Sequence, residues 1–375
     1  MFRLFLFFVF FIGCKNYISI DSIDYSNSFN GFNNSYVINK SKKTYTLNKS
    51  LIIPKNKVLI ISDGVKINIK NNAEIINNGT LIIGENKNTD SLNLYTDSNF
   101  NNLIFSYNTV IYSKKKFYLK SDGKNLIINN SYLENINIIS INNINLNNTL
   151  LINSFIEIKN SDVNIFNSYF KETDLRIYNS SFILNNSFLI KNKKVLELIN
   201  NKKTIINNCF LYNNYGFLIS GNSNINYLNN IFYKNKNCIS IDLNINNYCK
   251  SHNNIFIENE NIFNKKDSSL LYIINNTFDK NKIVFNSIKN DNYIISKNNI
   301  YYNSFLNNNI IKHSHCLSNK EIIEGYFNIN KEPSFIDIKN YNYNLNLNSP
   351  ALRSGNNNIN LGANINTIYN IKYLN

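Results

Sequence analysis

The chain of 375 residues contains no Trp, one Met, three Pro, three His, five Cys and eleven Gly. A collagen-like helix, a Pro/Gly linker and a disulfide-dense scaffold each need a residue that is scarce here. Arg is also scarce, occurring only as Arg3, Arg176 and Arg353, so 36 Lys carry most of a formal net charge of +15. Arg is the preferred planar fork for phosphate, and a basic balance made almost wholly of Lys does not point to nucleic acid. Beyond residue 12 no apolar run is long enough to cross a bilayer as a helix.

What is abundant is Asn, 87 residues in all, beside 26 Phe and 25 Tyr. Asn-rich chains include disordered, prion-like ones. Here 43% of residues are hydrophobic and the aromatics are spread evenly, enough apolar material for a sizeable core, so the chain is read as folded. Asn, Ile, Lys, Tyr and Phe are all served by A/T-rich codons, and a coding bias would enrich them without selection. The Lys excess therefore speaks first of coding and only second of an acidic partner, such as an anionic glycan or a cell surface.

The first fifteen residues read MFRLFLFFVFFIGCK, with one cation at Arg3 and an apolar run over residues 4–12. That run is too short to span a membrane and fits the apolar region of an export signal. Ile12, Gly13 and Cys14 resemble the lipobox of bacterial lipoproteins, although Phe11 stands where Leu is usual. The resemblance implies a signal peptide over 1–13, lipidation of Cys14, a polar spacer to about residue 40, and a membrane-anchored location at the bacterial envelope. Four cysteines remain in the exported part, Cys209, Cys238, Cys249 and Cys316. They show neither framework spacing nor a CxxC pair, and isolated buried thiols are expected.

A repeat organises the rest. Asn-Asn-x-aromatic recurs with its aromatic at Tyr132, Phe188, Phe210, Phe232, Phe256, Phe278 and Tyr301, and from Phe188 onward the intervals are 22, 22, 24, 22 and 23 residues. Coding bias sets frequencies but no period. Between the motifs lie short alternating runs such as residues 204–207, 239–243 and 271–274, a two-residue periodicity with no helical stripe. Short strands in a unit of this length, with Asn at the corners, describe one coil of a parallel β-helix. Asn suits corners because it tolerates left-handed backbone angles and its amide can pair with the Asn of the next coil. Roughly 14 coils of about 22 residues at ~4.8 Å each would form a rod about 70 Å long. Over residues 155–188 the motif intervals shorten to 15, 12 and 6, where no register is evident.

Both ends carry a resemblance. Residues 44–86, YTLNKSLIIPKNKVLIISDGVKINIKNNAEIINNGTLIIGEN, look like the first coils of right-handed parallel β-helix proteins of the pectate-lyase-like superfamily. Residues 332–365 are similar to the closing segment of that superfamily through Pro333, Phe335, Asp337, Leu345, Ser349, Pro350, Ala351, Gly355, Gly362 and Ala363. They depart from it at Glu332, Leu352, Arg353, Ser354 and Asn360. The resemblance implies an all-β, right-handed parallel β-helix solenoid: an amino-terminal cap and first coils over 41–95, coils over 96–310, and final coils with a closing segment over 311–375.

Fold alone does not choose a chemistry. The hydrolases of this fold resemble one another through NTD, DD, GHG and RIK motifs; DD, GHG and RIK are absent, and the one NTD, Asn88-Thr89-Asp90, stands without them. A polysaccharide lyase needs a base and a cation, in some cases Ca²⁺, to hold the enolate. Glu172, Asp174 and Arg176, at i, i+2 and i+4 of a strand, would share one outward face and are the candidate set, for which a solvated, salt-bridged strand face is the plainer reading. His313 and His315, with Cys316, Glu321 and Glu324 nearby, have the spacing of two metal ligands on one strand face, or of ordinary alternation. His252 reads as a corner residue. No cofactor is expected outside the lyase reading. The leading expectation is a lipid-anchored surface protein that binds or organises polysaccharide through outward Tyr, Phe, Asn and Lys, with a structural or adhesive solenoid and a lyase as alternatives.

Overall fold

The computed structural model describes residues 143–365 apart from 194–195, 266, 287–292 and 308–310, together with shorter segments between residues 17 and 140. These residues form a parallel β-solenoid whose helical content is two 3-10 turns, Ile338–Asn340 and Asn356–Asn358. In the coil that starts at residue 143, strands Asn143–Asn147, Leu150–Ile152 and Phe155–Lys159 follow one another. Strand Asp162–Phe166 then returns to pair in parallel with Asn143–Asn147. One side of each coil enters a 16-stranded sheet. The other two enter a 23-stranded sheet, joined where Thr109–Ser121 and Ser131–Ser140 run on through a corner.

Successive partners in the 16-stranded sheet are Ile144, Val163, Phe182, Thr204, Ile225, Cys249, Leu271 and Ile294, at intervals of 19, 19, 22, 21, 24, 22 and 23 residues. The stretch without evident register is thus a pair of 19-residue coils ahead of the longer ones. Each 19-residue coil turns three corners on single left-handed residues, such as Asn148, Asn153 and Asn160 with φ of 50, 47 and 56°. The residue after each corner points inward and joins a buried polar column. In one column Asn235 Oδ1 accepts the Asn214 N–H at 2.9 Å while Asn235 Nδ2 donates to the Leu211 carbonyl at 3.0 Å. Asn259 and Asn281 repeat the arrangement in the following coils. Leaving one such buried group unpaired costs about 1–3 kcal/mol, so the columns fix the stacking of coils as well as satisfying corners.

The aromatics of the repeat fall into two phases. Phe232, Phe256, Phe278 and Tyr301 face inward and stack at 4.6, 5.0 and 4.9 Å between ring centroids. Phe210 is aligned with Ile231, and it is Leu211 that sits opposite Phe232. The even 22-residue step from Phe210 to Phe232 therefore joins non-equivalent positions. The corner is the second Asn of its pair, Asn208, in one coil and the first, Asn229, in the next. Cys209 consequently takes the inward place that Asn230 takes one coil later.

Outward-facing Phe210, Tyr212, Ile231, Tyr233 and Ile255 are buried because the carboxy-terminal segment lies over them. The antiparallel pair Phe335–Asp337 and Asn342–Leu345 and the chain up to residue 365 pack on the short-strand side, where Tyr343 Oη donates to Asp279 at 2.7 Å. Residues 332–365, expected to close the end of the solenoid, therefore cover a lateral face. At the other end, Tyr17–Ser19 pairs in parallel with Thr44–Leu47, and Phe32–Ile38 with Val58–Ile61. Parallel pairing thus begins inside the segment read as a spacer.

Candidate functional site

With the short-strand side covered, the exposed chemistry gathers along the corner between the short strands and the longer strands that follow them. Asn153, Glu172, Lys191, Asn213, Lys234, Glu258, Lys280 and Asn303 occupy this corner in successive coils, each with φ between 50 and 55° save Asn153 at 47°. Each amide is held by the next coil, as where the Glu172 N–H donates to the Ile190 carbonyl at 3.0 Å and that of Lys191 to Tyr212 at 3.0 Å. Non-Gly residues enter the left-handed region at a cost, and Asn is the side chain best suited to it. Charged side chains here are thus presented outward on a backbone that stacking holds fixed.

Around three of these coils the ridge opens into a groove of about 400 Å³ lined by Glu172, Lys191, Lys193, Asn213, Tyr215 and Lys236. Lys236 Nζ lies 4.8 Å from the Tyr215 ring centroid, and Tyr215 is 39% exposed. Lys193 Nζ is 4.0 Å from Glu172 Oε2, so one carboxylate faces three ammonium groups. A groove that combines net positive charge, an exposed aromatic face and amides can attract a carboxylated or sulfated sugar, stack on its ring and pair with its hydroxyls.

The expected set of Glu172, Asp174 and Arg176 is only partly brought together. Asp174 and Arg176 lie on the outward side of strand Asp174–Tyr178, but Glu172 is the left-handed corner before it and turns into the groove. The strand does not run through Thr173, whose side chain joins the buried polar column below Asn192. Arg176 Nε sits 3.3 Å from Glu197 Oε2, and its guanidinium carbon is 5.4 Å from the Phe155 ring centroid. Tyr178 Oη donates to the same Glu197 oxygen at 3.0 Å. Burial, and then this carboxylate, push the Tyr178 phenol above its ordinary range. Glu197 thus already occupies the guanidinium that a lyase would turn toward a substrate carboxylate.

His313 and His315 do not share a face either. His313 points into the core at 2% exposure and its Nδ1 is 2.8 Å from Ser296 Oγ, whereas His315 is a left-handed corner stacked on Phe327 at 4.8 Å. Cys316, next in sequence, takes the inward place in the polar column, and its thiol accepts from the Asn299 N–H at 3.4 Å. Glu321 Oε1 accepts from the Leu306 N–H at 3.4 Å. Among the described residues no three His, Cys, Asp or Glu converge as metal ligands. His252 ends strand Tyr248–His252 just before the Asn253 corner, and burial, then Lys250, lower its pKa. Cys209, Cys238, Cys249 and Cys316 are free and buried, as isolated thiols. Burial raises the Cys209 thiol to about 12 and the Cys316 thiol to about 11, which leaves both unreactive. Cys14 lies outside the described residues.

The expectation of an outward aromatic ribbon needs the same correction. Tyr212 and Tyr233 do stack, at 5.4 Å, but beneath the carboxy-terminal segment, where Tyr341 meets Tyr233 at 5.7 Å. Tyr215 was not singled out by its sequence; the Tyr215-Gly216 pair that ends a corner two residues after a left-handed Asn was the available signal.

Fold and groove together define the class, a parallel β-solenoid with a basic groove along one corner. No family model and no curated protein matches the chain. Among solved structures it is similar to "Structure of PL6 family alginate lyase AlyGC", with 12% identity and a TM-score of 0.38 over 89% of this chain and 59% of that one. The chain thus spans less than two thirds of that structure's length.

Proposed function

We propose that the protein binds an acidic polysaccharide at an exported, lipid-anchored site, and that the groove of Lys191, Lys193, Lys236 and Tyr215 is where it does so. The observation that supports this reading is the groove itself: three ammonium groups and an exposed aromatic ring on a backbone held by coil-to-coil hydrogen bonds. A ligand meeting a preorganised surface loses less to ordering, and Lys on a corner ridge keeps its charge in water until the ligand arrives. The test is retention of the purified chain on immobilised pectate, alginate and glycosaminoglycan. A K191A/K193A/K236A variant should bind the retaining glycan at least tenfold more weakly, and added salt should weaken the unmutated chain in the same direction. Absence of retention on every acidic glycan, or equal retention of the variant, removes the proposal. Following the same incubations for unsaturated uronate separates binding from β-elimination.

The anchor rests on Ile12, Gly13 and Cys14 alone. Expression in a bacterium fed labelled fatty acid should label the chain, and Cys14→Ser should abolish the label. An unlabelled parent chain would remove the anchor from the reading while leaving the groove untouched.

A further inference from the structure

A second groove lies at another corner, where the carboxy-terminal segment crosses the ridge of surface amides. Along that ridge Asn207 Nδ2 donates to Asn185 Oδ1 at 3.0 Å, Asn229 to Asn207 at 3.0 Å and Asn253 to Asn229 at 2.6 Å, one amide per coil. The column is broken where the segment docks. Asn253 Oδ1 accepts the Asn364 N–H at 2.6 Å and Asn298 Oδ1 accepts the Asn356 N–H at 3.0 Å. Asn275 stands between them, and its buried Oδ1 has no hydrogen-bond partner. A groove of about 370 Å³ opens here, with Asn253, Asn275, Asn344, Asn360 and Asn364 in its walls and Ile359 and Leu361 beside them.

The walls are built, not loose. Gly362 has φ of 80°, and a Cβ there would come within 2.6 Å of Thr277 Oγ1 and 2.7 Å of Ile300 Cδ1, so only glycine lets the segment approach this closely. The Gly362 N–H donates to the Asn298 carbonyl at 2.8 Å and that of Ala363 to Thr277 Oγ1 at 2.9 Å. No charged side chain lines the groove, so a charged ligand would lose hydration without a partner. Amides offer donors and acceptors side by side, which matches a ligand whose hydroxyls are both. Apolar Ile359, exposed beside the buried Leu361, matches the C–H face of a sugar ring, and the volume falls in the range of small-ligand sites.

From the broken amide column, the uncharged lining and the fixed walls we infer that this groove binds a neutral saccharide, with the part-exposed Asn275 amide turning to meet one of its hydroxyls. The inference stands apart from the basic groove and does not rest on it. The experiment uses the full chain and saturation-transfer NMR with neutral methyl glycosides (glucoside, galactoside, mannoside and N-acetylglucosaminide), followed by neutral polymers of the same sugars. At least one should bind. Asn275→Ala, which removes the amide, and Ile359→Trp, which fills the groove from an exposed position, should each weaken it tenfold or more. The far-ultraviolet circular dichroism and the urea midpoint should stay close to those of the unmutated chain in both variants, which reports that they are folded. Binding of the free glycoside assigns a terminal sugar, and binding of the polymer alone assigns an internal stretch; either supports the site. No binding of any neutral sugar, or binding undiminished in Ile359→Trp and Asn275→Ala, overturns it.

Discussion

Asp267→Ala should cost about 4 kcal/mol of stability, read as a fall in the urea midpoint, because it leaves a buried ammonium without its counter-charge, holding only the main-chain carbonyl of residue 267. Lys265 is 1% exposed at its side chain and Asp267 8%, with 2.7 Å between Lys265 Nζ and Asp267 Oδ1. The carboxylate does more than pair with Lys265. Its Oδ1 also accepts the Ser269 N–H at 2.8 Å and hydroxyl at 2.6 Å, and its Oδ2 accepts the Leu243 N–H of the preceding coil at 2.6 Å. Burial alone would raise the Asp267 pKa, but Lys265, Ser269 and Leu243 outweigh it and hold the group below its ordinary value. A lowered folded-state pKa gives stability that is present above the unfolded carboxylate value, about 3.9, and is lost as the pH falls through the folded one. The contribution is therefore complete at neutral pH and disappears only below about pH 4. A paired Lys265→Met/Asp267→Leu change should be markedly less damaging than Asp267→Ala, since it removes both charges together. A loss below about 1 kcal/mol in Asp267→Ala would place this cluster among exposed ion pairs of little consequence.

Why the period was legible and the faces were not follows from the corners. A left-handed residue each time the chain turns, followed by a small polar residue pointing inward, gives Asn-Asn pairs a spacing that any reading of the sequence detects. The same corner can be made by another residue. Glu172 before Thr173, and His315 before Cys316, are corners in which Ser, Thr or Cys supplies the column, and counting them as strand positions put Glu172 with Arg176 and His315 with His313. The switch between Asn208-Cys209 and Asn229-Asn230 obeys the same rule, and it decides whether the next aromatic points outward or inward. The covered face had a signal too. Phe210–Tyr212, Ile231–Tyr233 and Ile255–Ile257 are apolar at all three positions and buried throughout, the pattern of strands packed on both sides. What covers them is a contact between residues 64 or more apart, such as Tyr343 with Asp279, and no local pattern encodes it. The basic groove depends in the same way on three coils stacking Lys191, Asn213 and Lys236 into one wall.

Between about pH 6.5 and 4 the chain should lose about 3 kcal/mol of stability that a His313→Gln variant does not lose. His313 continues an inward column in which Ser296 is its register partner, and no polar group meets its buried Nε2. Burial lowers its pKa to about 4 from the ordinary 6.5. In that window the unfolded chain takes up a proton that the folded chain refuses, so stability falls as the pH falls, and the loss is complete once the folded imidazole is itself protonated. The groups packed against it do not reverse the sign. Ser296 and Phe285 do not titrate, burial raises the Tyr301 phenol well above its usual range, and the Cys316 thiol is raised to about 11. Gln keeps a hydrogen-bonding side chain toward Ser296 and cannot gain a proton, which isolates titration from packing. His252, half-buried beside Lys250, shares the direction of shift, and His252→Gln in parallel measures its part. Urea midpoints at pH 7, 5.5 and 4.5 decide the matter: parallel curves for the parent chain and His313→Gln would show that the imidazole is already charged, or open to water, in the folded solenoid.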